Sequence, residues 1–421
     1  MLTGARRSLR SGSYAFAIDL SVSSYDDGVR VIYGGGFDKP GYFDFYKYFG
    51  EPNAFCSLLK RDHAVYRRRV SSVYSKSALY NSEHLMDITK KLLGATFLPM
   101  IQGYADSSSS VDMLTMTYAL CLDWVDSFIF GYSSINKLLR PDGNDVNIFL
   151  KYYEERYSKE AFWLQELPAL SKLVTKLGFS IIPKEGKEAT RWLEDWLQQM
   201  CDRADAAMEK GDLLDAANVP IVYQQVKQAV NRDCSDDSET TRKRKIASEL
   251  FDHMSSAREV LGLVLGYAIF YLSGKPEVQS KLREELLGLS SPITAGTSES
   301  QLPTPSSLDD LPYLDAVIKE SLRMRPTSTP LPRVTPTDKA VTLGGFENIP
   351  PGTRVNTFQW FVHRDPRAWS NVDEWIPERW LSGNDGSDSG VLWPFVTGSR
   401  MCLGSHLAGY SIRLGMKSPD R

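Results

Sequence analysis

Cysteine is scarce in this chain. The five, at Cys56, Cys121, Cys201, Cys234 and Cys402, are widely spaced and odd in number. That argues against a disulfide framework and for a reducing compartment. Histidine is equally scarce, and no CxxC pair or histidine cluster suggests zinc. An excess of one charge is lacking too. The 49 Lys and Arg against 52 Asp and Glu leave a net charge of −3, which marks no nucleic-acid binder. Long apolar runs are missing. The longest, Val260 to Leu272, is interrupted by Gly262 and Gly266. It falls short of the ~20 residues a bilayer needs. The start, Met1 to Arg10, is basic, with no acid before Asp19 and no apolar stretch for secretion. It mimics a transit peptide without being read as one.

What is there is organised around Pro394 to Gly404, near the C-terminus. Cys402 sits between Gly398 and Gly404, with Arg400 two residues upstream, and Ser405 to Arg413 reads as the start of a helix. Glycines admit φ > 0 and the close approach of a flat group. A helix start favours a thiolate. A free cysteine is usually a small buried hydrophobe. Against that stands Phe-x-x-Gly-x-Arg-x-Cys-x-Gly, filled by Phe395, Gly398, Arg400, Cys402 and Gly404. A thiolate in such a loop suits a haem iron as axial ligand. On these residues the chain resembles the cytochrome P-450 family of haem-thiolate enzymes, in the fungal form that acts in secondary metabolism.

The resemblance implies a mainly α fold, with a large helical domain, a small β region, and haem between a long central helix and the cysteine loop. One domain is expected over residues 1–421, with the resemblance carried by residues 28–416. The N-terminal anchor and C-terminal strands of relatives are expected to be missing.

Helical spacing of apolar residues predicts helices over Glu83–Met100, Met113–Phe130, Asp145–Leu173 and Lys187–Lys210. Asp62 is the expected cap of a helix carrying Arg67, Arg68 and Arg69, which must point in three directions. In the resemblance, Arg67 and His63 four residues before it face a haem propionate, and so does Arg333 downstream. Arg400 would complete the set. Guanidinium forks suit carboxylates.

Ile246 to Ser273 is the strongest helix, with a 3.6-residue apolar stripe. It matches the family's central helix. There relatives carry a small pair, any residue, an acid and a threonine. This chain has Ser256, Ala257, Arg258, Glu259 and Val260. Valine keeps the shape and loses the hydroxyl that normally orders the proton-carrying water. Glu259 is the proton-relay candidate, and the alternative is simple pairing with Arg258. Ser255 or Ser256 is a substitute hydroxyl.

Leu308 to Met324 reads as a helix capped near Ser306 or Ser307, with Pro326 just beyond it. It places Glu320 and Arg323 on one face. With Arg379 of Pro377-Glu378-Arg379-Trp380, the resemblance makes these a buried network that braces the cysteine loop. Their role is structural. Val341 to Val355 reads as two short strands around turns, Ser290 to Ser307 as a polar linker, and His363 as a structural hydrogen-bonder.

The function implied is that of a monooxygenase. One oxygen atom from O₂ enters a lipophilic organic substrate, on haem b, with electrons from NADPH through NADPH-cytochrome P-450 reductase. Val260 raises a second reading, a haem-thiolate isomerase, dehydratase or peroxygenase. The shortened ends raise a third, a truncated, non-catalytic remnant. The chain is expected to be a monomer. The family expectation is the cytosolic face of the endoplasmic reticulum membrane; with no transmembrane segment in this chain, the alternative is the cytoplasm.

Overall fold

The structure is a computed structural model that describes residues 13–15, 19–140, 144–157, 161–211, 214–290, 302–327, 331–381 and 391–416. Helix α1 (Lys60–Val70) begins after Leu59, so Asp62 lies in its first turn and not at its cap. The three arginines do diverge. Arg67 donates to the Met401 carbonyl, Arg69 pairs with Asp233 at 3.0 Å, and Arg68 is exposed.

Helix α2 (Met113–Phe130) is capped by Asp112, whose carboxylate accepts the Leu114 amide at 3.0 Å and the Thr115 amide at 3.3 Å. It is long and apolar enough to cross a membrane by length and composition, but 78% of it is buried within the fold. Here it serves as a core helix.

The stretch predicted as one helix from Asp145 to Leu173 is broken. Helix α3 (Asn144–Arg156) is followed by short helices Ala161–Glu166 and Pro168–Lys176. Pro168 lacks an N–H to continue a helix and instead opens the second one. Helix α4 (Lys184–Lys210) packs against α3, with Leu193 and Leu197 fully buried.

The central helix starts earlier than its apolar stripe. Helix α5 (Glu239–Ser256) is capped by Ser238, whose hydroxyl accepts the Thr241 amide at 3.2 Å. Helix α6 (Leu263–Ser273) continues it. Between them, Ala257–Gly262 widens into π-helical turns, which a regular stripe does not foretell. The packing shows why the wide turn is stable. Gly262 presses on α2, where a Cβ would stand 2.7 Å from the Tyr118 ring. The Thr117 hydroxyl then donates to the Gly262 carbonyl at 3.0 Å.

Residues 308–324 are not one helix. Thr304 caps a short turn, Pro305–Asp309, and α7 (Pro312–Met324) starts afresh at its proline. Of the Ser290–Ser307 linker, residues 291–301 lie outside the described residues, as do residues 328–330.

The β region is small. One sheet runs in the order β1 (Ser13–Ala15), β2 (Asp19–Val22), then Arg354–Asn356, then β3 (Arg333–Val334). Leu20 pairs with Val355 in parallel register. Strands β4 (Val341–Leu343) and β5 (Phe346–Ile349) form an antiparallel pair. The predicted two strands over 341–355 are thus joined by a third, β6 (Arg354–Asn356), which belongs to the other sheet. A compact apolar cluster of Val22, Val29, Ile32, Val355 and Trp393 backs this sheet. The larger core lies among the helices, with Leu120, Phe128, Leu250, Met254 and Leu314 fully or almost fully buried.

Candidate active site

The cysteine loop owes its shape to one glycine and one tie. Gly398 has φ +73°, and a Cβ there would stand 2.6 Å from the Tyr33 carbonyl oxygen. Only glycine meets both conditions without strain. The Cys402 amide donates to the Phe395 carbonyl at 2.8 Å, which closes the loop. Gly404 then leads into α8 (Ser405–Gly415).

Cys402 is exposed, whereas Cys56, Cys121 and Cys201 are buried and Cys234 is intermediate. Even so, burial raises its thiol above the usual range, opposed by the Gly404 amide and the Arg67 charge. The expected lowering at the helix start is therefore outweighed.

Behind the loop stands the bracing network. Glu320 is fully buried and accepts from Arg323 at 2.8 and 2.9 Å, and from Arg379 at 3.1 Å. Trp380 Nε1 and the Ile376 amide complete its carboxylate at 3.0 and 2.9 Å. Arg323 also donates to the carbonyls of His363, Val372 and Glu374. His363 reaches the loop segment, accepting the Trp393 amide at Nε2 over 2.8 Å. Burial pulls its pKa down to about 3, so the ring is neutral and free to accept.

Beside the loop is a knot of positive charge. Burial lowers His63 to about 3, and the charges of Arg400, Lys39, Arg67 and Arg333 lower it further. Burial, with Arg333 and Arg400, likewise drives Lys39 well below the usual lysine range. Burial lowers Arg333 to about 10; this side chain is 2% exposed and donates to the Leu331 and Pro332 carbonyls at 3.0 Å. Its guanidinium lies over the Tyr33 ring. Among the described residues, no carboxylate pairs with Lys39, Arg67 or Arg333, and Arg400 has only Asp38 at 3.7 Å. Arg400 spends its terminal nitrogens on the Ser57 and Leu58 carbonyls, at 2.8 and 2.7 Å. Its Nε is buried without a partner.

The central helix carries the remaining candidates. Glu259 is exposed and accepts from Arg258 at 3.1 Å, and Arg258 reaches on to Glu154 at 3.4 Å. Val260 is partly buried and packs on the helical core. Ser256, one turn before it, donates its hydroxyl to the His253 carbonyl at 2.7 Å, and Ser255 donates to the Asp252 carbonyl at 3.0 Å.

A family model described as Cytochrome P450 matches residues 58–418. The chain belongs to the cytochrome P450 family. It is an oxidoreductase of that monooxygenase family, and the family implies haem iron. A cytochrome P450 monooxygenase of Aspergillus versicolor is 26% identical across 90% of this chain and 87% of its own length. One from Penicillium thymicola is 26% identical across 89% of this chain and 80% of its own. A shorter stretch, 41% of this chain and 32% of the relative, is 35% identical to a fusicoccadiene C-8 hydroxylase of Alternaria brassicicola.

The residues present fit a P450 haem. The accessible Cys402 thiol suits an iron ligand, and basic groups that no carboxylate pairs among the described residues suit its two propionate carboxylates. Lys39 belongs to this set and was not legible in sequence. It lies in an irregular stretch before α1, held between the rings of Phe43 and Phe55. No motif spacing points to it.

Proposed function

We propose that the chain is a haem-thiolate monooxygenase that inserts one oxygen atom from O₂ into a lipophilic organic substrate of fungal secondary metabolism. Electrons would come from NADPH through a partner reductase. One observation carries this reading: the accessible Cys402 thiol on a self-closed loop, next to Arg67 and Arg400, which among the described residues have no carboxylate within hydrogen-bond distance. When bound, the haem supplies the oxidising chemistry. Cys402 Sγ would hold its iron. Arg67, Arg333 and Lys39 would hold the propionates, with Arg400 offering its free Nε and neutral His63 a ring nitrogen. Phe395 and Gly404 shape the loop around the thiol. Glu259 is the proton-relay residue of this reading, and Ser256 can accept a proton-bearing water, since its own hydrogen is given to His253.

The test is the absorbance of the reduced, carbon monoxide-bound protein. A strongly red-shifted Soret band, lost in Cys402→Ala, is the expected result. A neutral-thiol or histidine type of band, or no haem at all, would refute the reading.

Val260 favours a second reading, a haem-thiolate isomerase, dehydratase or peroxygenase. No hydroxyl stands at 260, and those of Ser255 and Ser256 both donate into their own helix. Product analysis with and without a reductase separates the two. In the monooxygenase reading, Val260→Thr raises product formed per NADPH consumed. Unchanged coupling would show that position 260 needs no hydroxyl.

A further inference from the structure

The segment of residues 51–58 is tied to α5, to the cysteine loop and to Lys39, whose amide donates to the Leu58 carbonyl at 3.0 Å and whose side chain donates to the Phe55 carbonyl. On one side stands α5. Glu249 accepts the Ala54 amide at 2.9 Å, and Asp252 accepts the Phe55 amide at 3.3 Å. These carboxylates are three residues apart, on one face of the helix. Just before them on the chain, Ser248 donates its hydroxyl to the Glu51 carbonyl at 2.7 Å. On the other side stands the cysteine loop, from which Arg400 grips the Ser57 and Leu58 carbonyls. Within the segment, Asn53 accepts the Cys56 amide at 2.9 Å, and Ser57 donates to the Asn53 carbonyl at 2.7 Å. The result is a strap. It joins the central helix to the cysteine loop.

The carboxylates are costly where they stand. Glu249 is fully buried, and a buried carboxylate needs partners. It has the Ala54 amide and, at 3.7 Å, His253. Asp252 is half-buried, yet burial and the nearby Glu249 push its carboxyl up to about 7. Ser256 lies one turn further along the same face.

We propose that Glu249 and Asp252 are positioning residues for the reaction proposed above. By holding the Ala54 and Phe55 amides they fix the spacing of the central helix and the cysteine loop, and that spacing sets the bulk of lipophilic substrate the site admits. The proposal rests on the haem-thiolate reading for its function, and on the strap geometry alone for its mechanics.

The test combines two measurements on the full chain. Backbone amide exchange reads the strap over residues 51–58. Spectral titration of the haem-loaded protein reads binding of imidazole and of 4-phenylimidazole. Asp252→Leu removes the acceptor. It is expected to speed exchange in 51–58 about tenfold, leave α2 unchanged, and shift preference toward the bulkier azole by about tenfold. Asp252→Asn keeps an acceptor oxygen and is expected to stay within about twofold of the parent. If Asp252→Leu does not fold, Asp252→Ala, which adds no bulk, takes its place. Unchanged exchange in 51–58, equal acceleration in α2, or an Asn variant as damaging as the Leu variant would overturn the strap. Faster exchange with no shift in azole preference would overturn its role in specificity. A chain that binds no haem fails the functional reading, while the exchange result still judges the strap.

Discussion

The amide of Cys402 donates to the carbonyl of Phe395 at 2.8 Å, so the thiol hangs from a loop that bonds to itself. That loop is not free-standing. The Trp393 amide bonds to His363, the His363 carbonyl to Arg323, and Arg323 to Glu320. The position of the thiol thus depends on a buried carboxylate in α7. Such a network fixes geometry more than it adds stability.

Glu320→Gln should be severe. It would leave Arg323 and Arg379, 0% and 2% exposed, as buried cations short of a counter-charge. Breaking a buried pair from one side costs about 3–5 kcal/mol. Denaturant unfolding should show a loss of that order, together with a smaller fraction of chain carrying haem. A loss below about 1 kcal/mol would mean that the carbonyl partners alone hold the two arginines.

Gly398→Ala tests the loop itself. The new methyl would need φ +73° and a place 2.6 Å from the Tyr33 carbonyl oxygen. The strain is worth about 1–3 kcal/mol. Thermal unfolding should fall by several degrees, with weaker haem retention. An unchanged midpoint would show that the loop can back away from Tyr33.

A pH effect is expected in α2. Burial pushes Asp123 up to about 7 and Asp126 well above the usual carboxylate range. Asp123 accepts the Leu138 and Leu139 amides at 2.8 and 2.9 Å. Among the described residues, neither Asp126 oxygen finds a hydrogen-bond partner. Both folded pKa values lie above the unfolded one, so the folded state holds the extra protons. Stability from this pair is present below about pH 4 and is lost as pH rises through 7. Asp126→Asn should therefore stabilise the protein more at pH 8 than at pH 5, by about 1 kcal/mol or more. Equal effects at the two pH values would show that Asp126 is ionised in the fold.

Much of this was legible in the sequence, for reasons that differ by residue. Cys402, Arg400 and Gly398 sit within a few positions of one another, so their relation is local and spacing reveals it. Glu320 and Arg323 share one helix face, and the structure brings Arg379 to them. The proline-led starts at Pro168 and Pro312 were visible in principle, but the apolar periodicity running across them hid the breaks. The π-helical turns at Ala257–Gly262 follow from contact with Tyr118 and Thr117 of another helix. No reading of local spacing contains that contact. Lys39 and the strap carboxylates were hidden for the same reason, since their partners are brought together only by the fold.

The tie between Arg400 and Ser57 spans 343 positions of chain. Closing so long a loop is entropically slow, and nearby contacts such as those within α2 can form first. The strap and the cysteine loop should therefore meet late in folding, which makes the cofactor slot among the last features to be completed. Pulse-labelled exchange during refolding would show it as residues 51–58 gaining protection after α2. Simultaneous protection would place the slot in the folding nucleus instead.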